Sequence, residues 1–255
     1  MTDSLPRLPS LSAFFPAYND GGTIGSMVLS ALTTLPLLTD DFEVIVVNDG
    51  SSDYTAAIVD ELARQYPRVR VIHHAANKGY GGALRSGFAA ATKEWVFYTD
   101  GDAQYDPREL LALAAARGPD TDVVNGYKIA RRDPLHRVLI GAIFRRAARV
   151  LYGLRIRDVN CDFRLIRRSL VEQVALHSDS GAICVEMVRK LQDAGAEFAE
   201  APVHHYPRVY GRSQIFGLRR MMRILWELAR LWRERALFRG SARGRVAKRP
   251  ASAPR

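Results

Sequence analysis

Cysteine is scarce: only Cys161 and Cys184 occur in 255 residues. That excludes a disulfide framework, offers no CxxC metal pair and fits a reducing compartment; both thiols read as packed core groups. A secretory start is missing as well, since MTDSLPRLPSLS has no charged opening followed by an apolar stretch of signal-peptide length. The longest apolar run of interest, 138–144, stops at Arg145 and Arg146, far short of the roughly 20 residues a spanning helix needs. Any membrane contact is therefore expected to lie on the surface. No GxxxxGK[ST] occurs, which leaves a P-loop nucleotidase without support, and there is no internal repeat. Acidic residues are absent from Arg239 onward, where Arg239, Arg243, Arg245, Lys248, Arg249 and Arg255 supply over half of the net charge of +10. That tail has almost nothing large and apolar to bury and is expected to be disordered.

What is present is a globular composition, 47% hydrophobic and 25% charged. Up to about Tyr127 the chain repeats a short apolar run, a Gly/Asp/Asn-rich turn and a helical stretch, which predicts a mostly parallel α/β sheet with crossover helices. Strands are predicted at 13–16, 42–47, 69–73, 95–99 and 122–126, and helices at 23–35, 53–66, 81–91 and 107–117. The run Val44-Ile45-Val46-Val47 suits a sheet covered on both faces. Ligands of such sheets bind beyond the carboxyl ends of the strands. Polar segments stand at four of those ends: PAYND (16–20), NDGSSD (48–53), NKGYGG (77–82) and DGDAQ (100–104). The second half predicts helices at 135–151, 181–194 and 214–238 and a strand at 198–205.

Asp100 and Asp102, separated by Gly101, can converge on a hard divalent ion, with Gln104 adding an oxygen. Mg2+ or Mn2+ held in this way completes its shell with substrate phosphates and water. An isolated DxD reads first as a solvated acidic turn; the three other polar strand ends reverse that reading in favour of the metal. Asp49 is placed to accept hydrogen bonds from a nucleobase or ribose, and Asp20 could act similarly. Ser51 or Ser52 is expected to cap the following helix. Lys78 and Arg85 flank a glycine turn whose third glycine would have to stand at Leu84, so a dinucleotide fingerprint is weak.

Together FFPAYND (14–20), VIVVNDGSSD (44–53), NKGYGGALRSG (77–87), DGDAQYDP (100–107), DVNCDFRLIRR (158–168), VEM (185–187) and HHYPRVYGRSQ (204–214) resemble the family 2 glycosyltransferases, and within them the dolichol- or polyprenyl-phosphate sugar transferases. The resemblance implies a glycosyltransferase A-type nucleotide-binding fold, an inverting reaction and metal binding by Asp100, Asp102 and Gln104. It implies base or ribose recognition by Asp20 and Asp49, with Pro16 and Tyr18 beside them. Arg137 matches an acceptor-binding arginine, and Lys128, Arg131 and Arg132 are further candidates for gripping a phosphate. Three positions depart from the pattern: Asn48 where an acidic residue is common, Gly126-Tyr127-Lys128 where Ser-Arg-Tyr/Phe is common, and Asp162 where glycine is usual. The last two put the acceptor in doubt.

A hydroxyl acceptor must lose a proton, whereas a lipid phosphate is already an oxyanion. Glu186 is the candidate base for the first case; otherwise it could orient Arg164, Arg208 or Arg212. Arg208 and Arg212 lie on a segment that could close over the donor diphosphate, a role suited to a bidentate, permanently charged fork. His204 and His205 read as packing or hydrogen-bonding groups. In the last helix Arg219, Arg220, Arg223, Glu227, Arg230 and Glu234 share one face, opposite Leu218, Met221, Leu225, Leu228 and Trp232. With the polybasic tail this predicts peripheral contact with an anionic membrane. The expectation is thus a cytoplasmic enzyme on the inner face of the cell membrane, moving a hexose from a nucleotide sugar to a polyprenyl phosphate. A transferase acting on a soluble or glycan hydroxyl is the alternative, and no nucleic-acid partner is expected. The chain divides into a catalytic domain (1–213), an amphipathic basic helix (214–238) and the tail (239–255).

Overall fold

The computed structural model describes residues 6–129, 143, 146–211 and 217–241. The expectations for Arg131, Arg132, Arg137 and Arg212, and for the tail from 242, lie outside these residues. The described strands are β1 (Leu11–Ala17), β2 (Phe42–Asn48), β3 (Val69–His73), β4 (Trp95–Thr99), β5 (Val123–Ile129), β6 (Phe163–Arg167) and β7 (Phe198–His204). The helices are α1 (Ile24–Thr34), α2 (Thr55–Gln65), α3 (Gly79–Ala90), α4 (Leu110–Ala115), α5 (146–152), α6 (Arg168–Glu172), α7 (Ala182–Asp193) and α8 (Leu218–Ser241).

The sheet runs in the order β3-β2-β1-β4-β6-β5-β7. β1 to β4 pair in parallel, as expected of crossover connections, and β5 pairs in parallel with β7. Between β4 and β5 the structure inserts β6, antiparallel to both. No strand is predicted there, because the segment Phe-Arg-Leu-Ile-Arg carries charge where a central strand should be apolar. Arg164 is nevertheless fully buried, so the charge is an internal component of the sheet.

Both faces of the sheet are covered. Leu11, Ala13 and Phe15 face the cluster with Val28, Leu35 and Leu113, while Phe14 faces the other with Leu84, Ile183 and Met187. The period-two alternation of a strand buried on both sides produces this split. A third cluster joins α5, α7 and α8 through Tyr152, Val185, Val188, Leu228 and Leu231.

α8 corrects the expected amphipathic face. The stripe facing the protein is Ile224, Glu227, Leu228 and Leu231, with Glu227, Leu228 and Leu231 buried. Met221, Leu225 and Trp232, expected to share the apolar face with Leu228, are exposed. Glu227 was placed on the solvated side, yet its carboxylate accepts the backbone N–H groups of Asp179 and Ser180, both at 3.2 Å, and the Ser180 hydroxyl. Two backbone N–H groups just ahead of α7 give a buried carboxylate its partners, and helical periodicity cannot foresee them.

Candidate active site

The site lies on one rim of the sheet, where β1, β2 and β4 end. Thr99 closes β4 and passes the chain to Asp100, Gly101 and Asp102. The turn is held against β1 by the Gly101 N–H on the Pro16 carbonyl at 3.1 Å and by Thr23 Oγ1 on the Gly101 carbonyl at 2.8 Å. A side chain at Gly101 would meet the Ile24 methyl at 3.0 Å and the Pro16 oxygen at 3.1 Å, so glycine lets the loop settle directly on β1.

Asp100 receives the Tyr80 hydroxyl at 2.8 Å. Burial pushes its carboxyl well above the usual range, and the charges of Asp162 and Asp102 push it further, against the Tyr80 hydrogen bond. Asp102 is also raised, chiefly by burial; the Arg208 guanidinium and the Gln104 N–H oppose the rise. Asp20, just beyond the end of neighbouring β1, is raised to about 6 by burial, with the Tyr18 N–H at 3.0 Å working against it. The rim thus collects carboxylates whose charge the surrounding protein leaves under-compensated. Hard oxygen donors with unmet negative charge fit a divalent cation, so the residues present suit the ion the sequence implies.

The segment after β7 reaches across this rim. Gln104 fastens it: its backbone carbonyl accepts the Tyr206 N–H at 2.8 Å, and its side-chain amide donates to the Tyr206 carbonyl at 3.1 Å. Expected as a further metal oxygen, Gln104 serves here as a latch. The latch sets Arg208 over the pair, hydrogen-bonded to Asp102 and 3.5 Å from Asp20. Farther along, Tyr210 meets Tyr54 edge to face at 5.9 Å.

At the end of β2, Asp49 is buried and held. Its Oδ1 accepts from His74 Nδ1 at 2.6 Å and from the Lys78 N–H at 2.8 Å, and His74 Nε2 meets the Ser86 hydroxyl at 2.8 Å. Lys78 therefore reaches Asp49 through its backbone. The expected serine cap of α2 is absent: Ser51 Oγ accepts the Asn19 N–H at 3.0 Å, and Asp53 Oδ1 takes the Thr55 N–H at 2.9 Å. These crossings tie the PAYND and NDGSSD turns together.

Three expected site residues, two substrate-binding arginines and the candidate base, are spent elsewhere. Arg85 donates to the Ser178 carbonyl at 2.5 Å and pairs with Asp179. Arg164 is sealed inside the sheet, donating to Asn125, the Tyr98 hydroxyl and the Val159 carbonyl, so it cannot touch a substrate from there. Glu186 neither faces the rim as a base nor orients Arg164 or Arg208. Its oxygens accept the N–H groups of His177 at 3.0 Å and Ser178 at 2.8 Å and pair with Lys190 at 2.7 Å. Burial raises its carboxyl, but Lys190 and Ser178 outweigh that and hold it low. The loop these residues clamp abuts the glycine turn: a Cβ on Gly81 would stand 1.9 Å from the Ser178 carbonyl. Glu186→Gln should therefore lower stability by about 1–3 kcal/mol, the cost of weakening a buried, fully bonded acceptor, while leaving nucleotide affinity intact. Unchanged urea unfolding together with lost turnover would restore the base reading.

Lys128 stays beside the site, its ammonium bonded to the Asn160 carbonyl at 2.7 Å and 5.7 Å from the Tyr105 ring centre; its charge is among those acting on Asp102. His204 pairs with Glu109 at 3.0 Å and His205 stacks edge-on against Tyr105 at 5.2 Å, in line with the expected packing roles. Tyr80, His74 and Asp162 were missed as parts of the site. Tyr80 carried a signal, a single hydroxyl inside a glycine-rich turn at the rim; the other two depend on pairings between distant segments.

Residues 12–175, well over half of the chain, match the sequence profile of glycosyl transferase family 2. The undecaprenyl-phosphate 4-deoxy-4-formamido-L-arabinose transferase of Enterobacter sp. (strain 638) is 26% identical over 220 residues, covering 86% of this chain; the chain spans 66% of that relative's length. Among solved structures, the glucosyl-3-phosphoglycerate synthase of Mycobacterium tuberculosis with Mn2+, UDP-glucose and phosphoglyceric acid superposes at a TM-score of 0.66. It is 19% identical and covers 88% of this chain and 80% of that one. The same synthase with Mn2+, UDP and glucosyl-3-phosphoglycerate gives 0.61 at 20% identity, covering 88% and 76%. These neighbours share the α/β fold expected from the sequence. They also correct the narrower resemblance: structures spanning nearly the whole chain are of an enzyme crystallised with phosphoglyceric acid, and the polyprenyl-phosphate acceptor is withdrawn. The peripheral membrane contact and inner-face location fall with it. Among the described residues no helix is long and apolar enough to cross a membrane, and the buried stripe of α8 is used on the protein itself.

Proposed function

The chain belongs to glycosyl transferase family 2, and on that premise we propose that it moves a hexose from a uridine diphosphate sugar to a hydroxyl of a small soluble acceptor. The observation that carries this reading is the pair at the end of β4, Asp102 buried beneath Arg208 and half-buried Asp100 held by the Tyr80 hydroxyl, with both carboxyls raised. Asp100 and Asp102 would hold Mn2+ or Mg2+, which would supply Lewis-acid neutralisation of charge on the departing diphosphate. Arg208 exchanges Asp102 for phosphate oxygens, and Tyr80 fixes the Asp100 carboxylate through its 2.8 Å hydrogen bond. The acceptor oxygen attacks the anomeric carbon from the side away from the diphosphate.

Asp49 supports uridine as the nucleoside. With Oδ1 engaged by His74 and Lys78, Oδ2 is the oxygen left to a base. Uracil offers one N–H donor at N3, which a single oxygen satisfies. Guanine offers N1–H and an exocyclic amine side by side, which call for both. Lys128 provides a cation for an acidic acceptor, and phosphoglyceric acid, bound by the structural neighbour, is the first to try.

The test is a melting-temperature screen of UDP- and GDP-hexoses with and without Mn2+, followed by product analysis with phosphoglyceric acid. A rise that needs both UDP-sugar and metal is expected. An equal rise with GDP-sugar would overturn the uridine assignment, and no metal-dependent rise with any nucleotide sugar would overturn the donor site.

A further inference from the structure

The direction of β6 gives Asp162 a position at the rim. β4 and β6 pair antiparallel with Thr99 opposite Phe163. Extending the register by one residue sets Asp162 opposite Asp100. Because β6 runs against β4, its amino end arrives at the rim where β4 delivers its carboxyl end. Like charges facing each other across an antiparallel pair are destabilising, so a third acid here carries a cost that its pairing with buried Arg164 offsets in part.

Asp162 does not complete a metal cage, for among the described residues no three acidic, histidine or cysteine side chains converge as one. Its side chain keeps 18% of its surface exposed, whereas that of Asp102 keeps 4%. Oδ1 is engaged, by the Cys184 thiol at 3.0 Å and by Arg164 Nη1 at 3.4 Å. Among the described residues Oδ2 takes no hydrogen bond, and the exposed part of the side chain leaves it open to a ligand. A second group points to a ligand in the same place. The Tyr105 hydroxyl is buried and, apart from the weak Cys161 thiol, has no hydrogen-bond partner among the described residues. Asp162 and Asp100 are among the charges acting on it, and Lys128 lies near its ring. A carboxylate, a buried hydroxyl without a strong partner and an ammonium beside its ring match a hydroxyl compound that also carries negative charge.

Resting on the transferase reading above, we infer that Asp162 is the general base of the transfer. Glu186, committed to the loop at 177–178, leaves that role vacant. As the acceptor oxygen bonds to the anomeric carbon, the bond from that carbon to the diphosphate oxygen breaks and its electron pair leaves with the nucleotide. The acceptor's hydroxyl proton passes to Oδ2 of Asp162.

Asp162→Asn tests this. Transfer from UDP-glucose to phosphoglyceric acid should fall by about 10²- to 10⁴-fold, the usual worth of a positioned base. The Mn2+-dependent melting shift with UDP should stay as in the wild type. Azide attacks without a proton to lose, so azide-dependent UDP release, yielding the glycosyl azide, should remain near the wild-type rate. Asp162→Ser should behave alike. Transfer within about threefold of wild type, azide turnover falling in step with acceptor turnover, or loss of the UDP shift would each overturn the assignment. Failure of both variants to fold would overturn it too, in favour of Asp162 as the counter-charge of buried Arg164. A wild type that binds UDP with metal but transfers to no hydroxyl compound refutes the base alone; one that binds no nucleotide refutes the transferase reading as well.

Discussion

Asp102→Ala is expected to cut sugar transfer by about a thousandfold, the several kcal/mol that a Lewis acid at a departing diphosphate supplies. The loss should appear as a vanished Mn2+ dependence of UDP binding, since one of the two carboxylates proposed to hold the ion is gone. Stability in the absence of ligand should move little or even improve. Asp102 is buried, near the charges of Asp162 and Asp100, and Arg208 offsets only part of that cost. The companion Asp100→Asn makes the separation sharper. Its carboxyl stands well above the usual range because of burial and two neighbouring acids, so the ionised form opposes folding. Removing the charge should raise the melting temperature at neutral pH. That gain should shrink as the pH falls, because the wild-type carboxyl then takes up its proton. A variant of Asp102 that keeps metal-dependent turnover would sink the assignment of the pair.

Arg164→Ala should be the most damaging single change to the fold, at about 3–5 kcal/mol, the range for removing one partner from a buried charged network. The guanidinium fills the middle of the sheet and donates to Asn125 at 2.5 Å, to the Tyr98 hydroxyl and to the Val159 carbonyl. Truncation leaves those acceptors buried beside a cavity. Arg164→Lys should recover only part of the loss, since one ammonium cannot span the fork's partners. Urea unfolding measures this directly, and a loss under about 1 kcal/mol would show that the network is redundant.

Most of the sheet was legible because its strands obey local rules. β1 to β4 are mostly apolar and each is followed by a turn rich in Gly, Asp or Asn, so period and punctuation agree. β6 was not legible, since Arg164 and Arg167 contradict a buried strand and only the pairing with β4 and β5 explains them. The candidate site divides in the same way. Asp100, Asp102, Asp20 and Asp49 follow strand ends and could be placed by counting. Arg85, Glu186 and Gln104 were assigned by charge or by spacing, and all three are engaged by backbone groups of segments distant in sequence or across a tight loop. Asp162 was noticed only as an oddity, for its position depends on the direction of a strand that was not foreseen.

The loop at 177–180 bears on how the chain can be cut. The stretch matched by the family profile ends at 175, yet Ser178 and Asp179 press on Gly79 and Gly81 at the donor rim. Glu186 and Glu227, from two helices beyond that boundary, hold the loop by four backbone N–H groups. A fragment trimmed to the profile would therefore lose the wall behind its own glycine turn. The last helix is a keystone of the catalytic unit, not a detachable module, and fusion partners or purification tags belong beyond it.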